Sequence, residues 1–541
     1  MNRIIAFQFA RVVGWLVLAM SVGIVLVATV VEAAPGTLAD QSAWPTPRLW
    51  GYFRTTIAMA SVATLIAFAI AIPFTAVMAG VRHGRQRRVL TALIIMPLVT
   101  MPSIHAYAWM LLATRKDGIA AAILSAIGWN TPGAQWVQAA VVLASWLWPI
   151  PALILSAAFR HMGRQGYQLA RLDAAGLSAF LRGALPLMRA PLIAAVAATF
   201  ILAATDATIP PLMGATEVWS VEMLAVAATA SSHARPIGYL FWQAWPMLAL
   251  IITFALAAMP GIRRIAAWGD ELEGADTGTL TRAPGRTWFF ACVLAGAIAF
   301  FPLCVFLTEF GSAREGTGRA IMTALTTYRT HGLATLLVAA LTGAMAFVAS
   351  LGVIADPDDH PWAKAFGRLA FTAILIIAIL PPEIIGTALA ATLTRVCDPR
   401  TWNIYDYTPW AWMAALLSRF GVICLVVARL TNRRVPASLL SHAQLEGATG
   451  PARIALVRLP FIWRPIAMAA LLTACLAMSE IGASVLTQPV RFFGGSLAVQ
   501  VDMQMHYGRQ SETTVLAAIM FSPAVAAALV GAAWPRPWTQ A

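Results

Sequence analysis

The stretch QLARLDAAGLSAFLRGALPLMRAPL, residues 168–192, places a short mixed-charge segment between two long apolar runs. A second stretch, SHAQLEGATGPARIALVRLPFIWRPI at 441–466, has the same shape in the other half of the chain. Each contains a leucine followed by an acid, then small residues, and a glycine nine residues before Leu-Pro. Two such copies predict a chain built from two similar halves with the same orientation.

The composition predicts an integral membrane protein. The chain has 541 residues, of which 60% are hydrophobic and only 11% are charged, and its mean hydropathy is +0.75. Ordinary soluble domains carry roughly 25% charged residues, so this chain has too few polar groups to cover a water-exposed surface of its size. We therefore expect an all-α polytopic membrane fold.

Twelve apolar runs are long enough to cross the hydrocarbon core, which takes roughly 20 residues. They lie near 12–32, 55–80, 90–113, 136–158, 191–213, 238–260, 287–308, 331–354, 369–394, 409–430, 465–487 and 514–534. Prolines inside several runs predict kinks. The acidic, glycine-rich stretch GDELEGADTGTL at 269–280 predicts a solvated linker between the sixth and seventh runs. We expect a first six-helix half at 1–262, a cytoplasmic linker at 263–286 and a second six-helix half at 287–541.

Fixed offsets of about 274–280 residues strengthen the prediction of a repeat. The paired positions are Pro102–Arg115 and Pro382–Arg395, each thirteen residues apart, and Pro186–Asp206 and Pro460–Glu480, each twenty residues apart. Such spacing is typical of two fused, similar subunits.

The net charge of +14 predicts membrane orientation better than nucleic-acid binding. Lys116 and Lys364 are the only lysines, and the arginines cluster in short loops between the apolar runs. Basic loops stay on the cytoplasmic side of a membrane, so the loops at 159–190 and 431–464 and both termini are expected to be cytoplasmic. The first run, which ends in VVEAAPG, could alternatively be a secretory signal, although it is longer than the usual apolar core of one.

Neither a disulfide framework nor a metal site is expected. The five cysteines show no CxxC spacing, and four of them fall inside apolar runs. No phosphate-binding loop is present either, because such a loop needs a lysine after glycine, whereas Lys116 follows arginine and Lys364 follows alanine. If ATP drives this protein, a separate subunit must hydrolyse it.

Each copy of the repeated segment predicts two short helices joined at a sharp turn. Gly176 or Gly450 can end the first helix, since glycine tolerates left-handed dihedral angles. Pro186 and Pro460 fit a break before the next span. Small residues at the turn let another backbone approach closely, so we expect the segment to protrude and to dock to a cytoplasmic partner. The alternative is a basic loop held at the lipid headgroups.

These segments resemble the EAA loop of binding-protein-dependent ABC importer permeases, whose core runs E-A-A-x-x-D/E-G-A-S/T and is followed by Leu-Pro. The second copy matches from Leu445 through Thr449 to Leu459 and Pro460. The first copy keeps Ala170, Asp173 and Ala175.

The two copies depart from the family pattern at defined positions. Ala174 stands where the family has glycine, and the first copy is one residue shorter between the acid and Leu-Pro. Gln168 and Ser441 stand where the family has a leading glutamate. The whole chain is nevertheless similar to the fused two-half permeases of ferric-iron, thiamine and aminoalkylphosphonate importers. EIGAS at 480–484 and DATIPPLMG at 206–214 are similar to stretches at the corresponding span of that group.

The resemblance implies a transport subunit that is not itself an enzyme and needs no cofactor. It implies two copies of a cytoplasmic ABC ATPase and a periplasmic solute-binding protein as partners, and the bacterial inner membrane as the location. The residues it assigns to ATPase coupling are Gln168, Ala170, Arg171, Leu172, Asp173, Ala175, Gly176, Leu185 and Pro186 in the first loop, and Ala443, Leu445, Glu446, Gly447, Ala448, Thr449, Gly450, Leu459 and Pro460 in the second. The solute would be iron(III), thiamine, an aminoalkylphosphonate or a similar compound.

Ionisable residues inside the apolar runs are candidates for the translocation path, because burying them in a membrane is costly. Asp206 and Glu480 occupy equivalent positions in the two halves, and His105 and Glu383 lie beside Pro102 and Pro382. The other interpretation is that these acids cap broken helices and that His105 satisfies a carbonyl freed by a kink.

Two other classes of protein remain as alternatives. A secondary transporter of the major-facilitator kind also has six plus six spans, and GVRHGRQRR at 80–88 partly matches its loop between the second and third spans. The aspartate of that loop is missing, and the class has no reason to carry paired long loops. A membrane-embedded enzyme is disfavoured because the sequence contains neither HExxH nor GxSxG.

Overall fold

The fold is all-α. The computed structural model describes residues 2–32, 46–80, 84–114, 124–126, 128–129, 131, 133–159, 164–170, 172–173, 176–230, 237–267, 293, 304, 317–354, 361–396, 404–432, 435–489, 494–507 and 510–533. Within these residues all regular secondary structure is helical. High helix content follows from the membrane environment, where a helix satisfies its backbone hydrogen bonds within one segment.

The helices of the first part of the chain run from α1 to α13. They are α1 (Asn2–Leu18), α2 (Ile24–Glu32), α3 (Pro47–Gly80), α4 (Gly84–Val99), α5 (Pro102–Thr114), α6 (Gln135–Leu147), α7 (Pro149–Ala158), α8 (Arg164–Ala170), α9 (Gly176–Ala179), α10 (Leu185–Thr205), α11 (Ile209–Leu212), α12 (Trp219–Ala230) and α13 (Ile237–Ala267). Two π-helical segments, Ala19–Gly23 and Phe180–Ala184, join α1 to α2 and α9 to α10.

The later helices run from α14 to α25. They are α14 (Thr317–Thr327), α15 (Arg329–Gly352), α16 (Pro361–Ala378), α17 (Pro382–Val396), α18 (Ile404–Tyr407), α19 (Trp410–Asn432), α20 (Ala437–Leu445), α21 (Gly450–Ala452), α22 (Leu459–Met478), α23 (Gly482–Thr487), α24 (Leu497–His506) and α25 (Gln510–Ala533). A third π-helical segment, Arg453–Arg458, joins α21 to α22.

The chain is a polytopic membrane protein. Seven helices in the described residues are long and apolar enough to cross a membrane, and the number rises to ten if each of three bent pairs is one span. These ten overlap ten of the twelve predicted runs. The predicted run at 287–308 lies outside the described residues except for positions 293 and 304. The last predicted run is helix α25, in which the apolar stretch is the shorter Glu512–Ala527.

Five predicted runs are broken rather than continuous, and one of them is the fourth, which bends by 46° between α6 and α7. The pair α4 and α5 bends by 87°, and the pair α16 and α17 bends by 111°, in each case just before the proline that opens the second helix. Proline lacks a backbone N–H and disfavours helical dihedral angles in the residue before it, so the helix axis changes direction there. The fifth and eleventh runs were expected to reach residues 213 and 487, but their helices end at Thr205 and Met478.

The order of elements recurs along the chain. From α3 to α13, a long helix is followed by a bent pair, a further span, a short loop helix, a π-helical segment, a span that ends at an acid, and two short helices before the last long one. The elements from α15 to α25 follow the same order. A particular hydrogen bond also recurs: the backbone N–H of Trp219 donates to Oγ1 of Thr56 over 2.8 Å, and that of Leu497 donates to Oγ1 of Thr335 over 2.8 Å. Each threonine satisfies an N–H at the start of α12 or α24 that has no partner within its own helix.

The first span packs against later helices and not only against its neighbours in sequence. Phe7, Leu18 and Val25 of this span belong to one buried cluster with side chains of α15, α16, α19 and α22. The indole N–H of Trp15 donates to the carbonyl oxygen of Gly352 over 2.7 Å. A side-chain carbon added at Gly14 would lie 2.4 Å from the carbonyl oxygen of Val348, so glycine is what lets α1 and α15 approach so closely.

The predicted linker at 263–286 lies almost entirely outside the described residues. Helix α13 continues to Ala267, so the first residues of the predicted linker are the last turn of that helix. Residues 268–286, which include GDELEGADTGTL, are not described.

The close contact of α1 with α15 generates a stability prediction. Replacing Gly14 with alanine should separate the two helices and lower the melting temperature of the purified protein in detergent, because the added carbon meets backbone. Gly23 in the same span has no atom within 4 Å of the equivalent carbon, so Gly23→Ala is the matched control and should leave the melting temperature unchanged or raise it. Equal melting temperatures for the two variants would contradict this packing.

Candidate functional site

The second repeated segment forms a tight turn between two helices. Helix α20 ends at Leu445, and Gly447 follows with a φ of 81°, in the left-handed region that glycine tolerates. The N–H of Ala448 donates to the carbonyl oxygen of Ala443 over 2.9 Å, and that of Gly447 donates to Gln444 over 3.0 Å. This pair of bonds is the Schellman arrangement, which satisfies the last carbonyls of a helix.

The prediction that Gly450 and Gly176 end the first helix is wrong. Gly447 takes that role in the second loop, and Gly450 begins α21 after Thr449, which is extended with φ −69° and ψ 163°. Gly176 likewise begins α9. The glycine nearest the end of α20 is the one in the left-handed conformation, whereas the glycine before Leu-Pro starts the next helix.

The predicted breaks at Pro186 and Pro460 are also wrong. Arg182–Thr205 and Gly450–Met478 are each continuous apolar helices that pass through the proline. Each proline lies in the first turn of α10 or α22, directly after a π-helical segment. A proline in the first turn of an α-helix removes an N–H that needs no intrahelical partner, so the chain continues as a helix.

The turn carries an exposed leucine at its tip. Leu445 is 86% exposed and is followed by Glu446 and Gly447, which are also exposed. Ala443 on the inner side of α20 is buried, and beneath the turn the guanidinium of Arg458 donates to Oδ1 of Asn432 over 3.0 Å. The base of the loop is therefore packed against the protein, while its apolar tip projects into solvent.

The first repeated segment presents a leucine in the same way. Leu172 is 82% exposed, and Asp173 and Gln168 are exposed beside it. The N–H groups of Leu172 and Asp173 donate to the carbonyl oxygens of Leu169 and Ala170 over 3.1 and 3.3 Å, which forms a turn at the end of α8. Three residues of this segment, Arg171, Ala174 and Ala175, lie outside the described residues.

The other members of the two predicted sets lie along the same loops. Ala170, Leu185, Ala448, Gly450 and Leu459 are half-buried, whereas Pro186, Thr449 and Pro460 are exposed. The structure therefore places the described members of each set in a single segment that runs from a loop helix into the next span.

Asp206 caps the helix that follows the first break. It is buried, and its Oδ1 accepts hydrogen bonds from the backbone N–H of Thr208 over 3.0 Å and of Ile209 over 2.8 Å. Its backbone is extended, which ends α10. Side-chain oxygens of aspartate satisfy N–H groups at the start of a helix in this way.

Glu480 occupies the equivalent position at the second break and gains a charged partner. Its Oε1 accepts the backbone N–H of Ala483, three residues further along the chain, over 3.2 Å. Asp206 accepts the N–H of Ile209, also three residues further along, in the same way. The same Oε1 pairs with Nη1 of Arg419 in α19 at 3.2 Å. The side chains of Arg419 and Glu480 are only 12% and 9% exposed, so this is a largely buried ion pair.

His105 satisfies the backbone at the bend between α4 and α5. Its Nε2 lies 3.1 Å from the carbonyl oxygen of Pro97, and the ring is fully buried. The indole N–H of Trp146 bonds the carbonyl oxygen of Thr100 over 3.1 Å at the same bend. Carbonyls at a break in an intramembrane helix need such partners, and this is the structural role that the alternative interpretation gave to His105.

Glu383 differs from the other three predicted residues. It is fully buried, and neither carboxylate oxygen accepts a hydrogen bond from another described residue. Arg419, Glu480 and Asp206 all lie within electrostatic range of it. Three of the four predicted path residues are thus brought together around Arg419, whereas His105 lies at the bend between α4 and α5 and bonds Pro97.

The predicted acids and the turns with the exposed leucines lie at opposite ends of the same two helices. Helices α10 and α22 have 21 and 20 residues. At 1.5 Å per residue each is about 30 Å long, which is close to the thickness of the hydrocarbon core. The turns that carry Leu172 and Leu445 come before the start of these helices, and Asp206 and Glu480 come directly after the end of α10 and close to that of α22.

Arg419 is the functional candidate that the sequence prediction missed. It lies inside the apolar run predicted at 409–430, where an arginine is as costly as an acid. Searching each run for a basic residue as well as for an acid would have found it. Its partner could not have been named from sequence, because Arg419 and Glu480 are 61 residues apart.

No relative indicates what this arrangement does. Comparison of the chain with protein-family models, with curated proteins and with solved structures gives no match. Within the described residues, no three or more His, Cys, Asp or Glu side chains are placed so that they could hold a metal ion together. The function is therefore inferred from the two turns with exposed leucines and from the buried acids.

The buried ion pair generates a prediction about stability. Removing the arginine with Arg419→Met should lower stability by about 3–5 kcal/mol, because Glu480 loses its cation and two further acids lie nearby. Glu480→Gln should cost less, since glutamine can still accept the N–H of Ala483 and Arg419 keeps acidic neighbours. The measurement is the melting temperature of each purified variant in detergent.

The double variant Arg419→Met/Glu480→Gln completes the test. It should recover part of the loss seen with Arg419→Met, because the unpaired carboxylate is then gone. A larger loss from Glu480→Gln than from Arg419→Met would contradict the arrangement of charges described above.

Proposed function

We propose that the chain is the transmembrane permease subunit of an ATP-driven ABC importer in the bacterial inner membrane. It binds two copies of a separate cytoplasmic ABC ATPase through its two coupling loops and receives solute from a periplasmic binding protein. In this proposal residues 1–262 and 287–541 are the two six-helix halves, both termini are cytoplasmic, and the chain transports solute without catalysing a reaction.

The observation that carries the proposal is the pair of exposed leucines, Leu172 and Leu445. Both are more than four-fifths exposed, and each lies at the tip of a turn, so each presents an apolar side chain that a protein partner can cover. The same residue type precedes an acid at the same place in both repeated segments. Two similar apolar tips suit two copies of one partner, which supports a dimeric ATPase.

The proposed mechanism is alternating access. ATP binding closes the two ATPase subunits, which draw the two coupling loops together. Since each loop continues without interruption into α10 or α22, its movement is transmitted along about 30 Å of helix to the acids at the far end. Solute released by the binding protein enters between the halves, and ATP hydrolysis restores the first state. Iron(III), thiamine and aminoalkylphosphonates are candidate solutes.

The first test concerns the apolar tip. Leu445→Ser should weaken ATPase docking by roughly tenfold or more, because a buried leucine contributes about 1.5–3 kcal/mol. The measurement is the stimulation of ATPase activity by loaded binding protein, in a complex with the ATPase and binding protein encoded beside this chain. Leu439→Ser is the matched control, since Leu439 lies on the same helix, is 40% exposed and is away from the tip. If Leu445→Ser and Leu172→Ser both leave stimulation intact, the coupling loops do not dock the ATPase.

The second test concerns the shape of the turn. Gly447→Ala forces a residue with a side chain into the left-handed region, at a cost of about 1–2 kcal/mol. It should reduce ATPase stimulation in the same assay by displacing the tip. Gly318→Ala is the control, because Gly318 lies in helix α14, outside both coupling loops, and has no atom within 4 Å of the added carbon. Equal effects of the two substitutions would show that the conformation of Gly447 does not matter for coupling.

A further inference from the structure

Glu383 is a buried acid that the fold itself does not use. It lies in the first turn of α17, directly after Pro382 and the 111° bend. It is 0% exposed, and its two carboxylate oxygens have no hydrogen-bond partner in any other described residue. Its own backbone N–H is close to the carboxylate. A buried carboxylate without a partner costs several kcal/mol, so a structural role does not explain its presence.

The charges around Glu383 do not balance. Its charged neighbours in the described residues are the acids Asp206 and Glu480 and one cation, Arg419. Arg419 bonds Glu480, and Asp206 is held by backbone N–H groups and Thr208. Of the three acids, Glu383 is the one whose carboxylate is bonded neither by Arg419 nor by an N–H or O–H of another described residue. The group as a whole carries three potential negative charges against one positive charge.

Glu383 and a second acid meet at a glycine. A carbon added at Gly482 would lie 3.0 Å from Cγ of Pro382, 3.1 Å from Oε1 of Glu383 and 3.4 Å from Oε1 of Glu480. Both oxygens therefore lie close to Gly482, and they can approach it because residue 482 has no side chain. Any other residue at this position would bring a carbon between the two carboxylates.

The position of the group points to solute in transit. Asp206 belongs to the first half as proposed above, and the other three charged residues belong to the second. Asp206 and Glu480 follow the ends of α10 and α22, Glu383 follows the bend between α16 and α17, and Arg419 lies within α19. Broken helices that meet between two halves of a transporter are where solute binds in many membrane carriers.

We propose that Glu383 binds a positively charged group of the transported solute as it passes between the two halves, so that the cargo is a cationic solute. This inference rests on the proposed transport function and adds the class of cargo to it. The solute supplies a second positive charge to a group that otherwise has only Arg419. Glu480, which also lies beside Gly482, is a second acid that the solute can contact. Release follows when the halves move apart and the carboxylates are separated.

The experiment measures uptake into proteoliposomes. The full-length chain is reconstituted with the ATPase encoded beside it, and the binding protein is supplied with the solute that co-purifies with it. Mass spectrometry of that released solute establishes its identity and hence its charge at neutral pH. ATP-dependent uptake of the same solute is then compared between the wild-type chain and Glu383→Gln, which keeps the shape and removes the charge.

Two further variants make the comparison specific. Gly482→Ala leaves every charge in place but fills the space between the two carboxylates, so it should also lower uptake. Glu222→Gln removes an acid of α12 that is not part of this group and serves as the matched control. Glu383→Gln should not lower the melting temperature, since it removes an unpartnered buried charge, and this measurement excludes misfolding as the cause of lost uptake.

The expected result is a cationic solute whose uptake falls at least about tenfold in Glu383→Gln, in line with the loss of a hydrogen bond to a charged group. Uptake should change less than about twofold in Glu222→Gln. A neutral or anionic solute, or normal uptake by Glu383→Gln, would overturn the inference while leaving the transport function intact. Absence of ATP-dependent uptake by the wild-type complex would instead overturn the transport function, and the cargo assignment would fall with it.

Discussion

A helix that ends inside a membrane leaves backbone N–H and carbonyl groups that lipid cannot satisfy, and this constraint determines much of the structure. After the ends of α10 and α22, the side chain of an acid satisfies one of these groups by accepting the backbone N–H three residues further on. At the bend after α4, His105 and Trp146 bond the freed carbonyls. These breaks place polar side chains at the ends of apolar helices, and they bring the candidate path residues Asp206 and Glu480 into the same region.

The two recurring series of helices solve this problem in the same way but are not equivalent in charge. Asp206 needs only backbone N–H groups and a threonine, whereas Glu480 also pairs with Arg419. The position that Glu383 occupies in the later series is taken by Ser103 in the earlier one, at the offset shared by Pro102 and Pro382. An exact repeat would give two identical sets of polar groups. In the described part of the chain Glu383, Glu480 and Arg419 all belong to the later series, so the group of acids around Arg419 is asymmetric.

Much of the fold could be predicted from the sequence because lipid imposes a simple rule on composition. Runs of about 20 apolar residues located ten of the spans, and equal offsets located the recurring acids. The ends of the spans were harder to predict. Asp206 and Glu480 are surrounded by apolar residues, so hydropathy extended the helices past them to residues 213 and 487. The helix ends where a side chain competes for backbone hydrogen bonds, and a window of average hydropathy does not register that competition.

The local geometry of the candidate site was predicted less well than its location. The turn was assigned to Gly450, although Gly447 stands closer to the end of α20 and takes the left-handed conformation. Two glycines three residues apart are equally permissive, and only the hydrogen bonds to Ala443 and Gln444 decide between them. Arg419 was missed, and its pairing with Glu480 depends on tertiary packing of α19 against α22 and α23. Sequence spacing carries no information on such contacts.

The packing of the first span has a consequence for how the chain is made. Trp15 and its partner Gly352 are 337 residues apart, so at ordinary rates of synthesis the first helix waits on the order of tens of seconds for the surface it will contact. In water an apolar helix left uncovered for that time would invite aggregation. In a bilayer, lipid tails cover the same surface at little cost, since they are as apolar as the eventual protein partner. Late docking of the first helix is therefore a topology that the membrane permits.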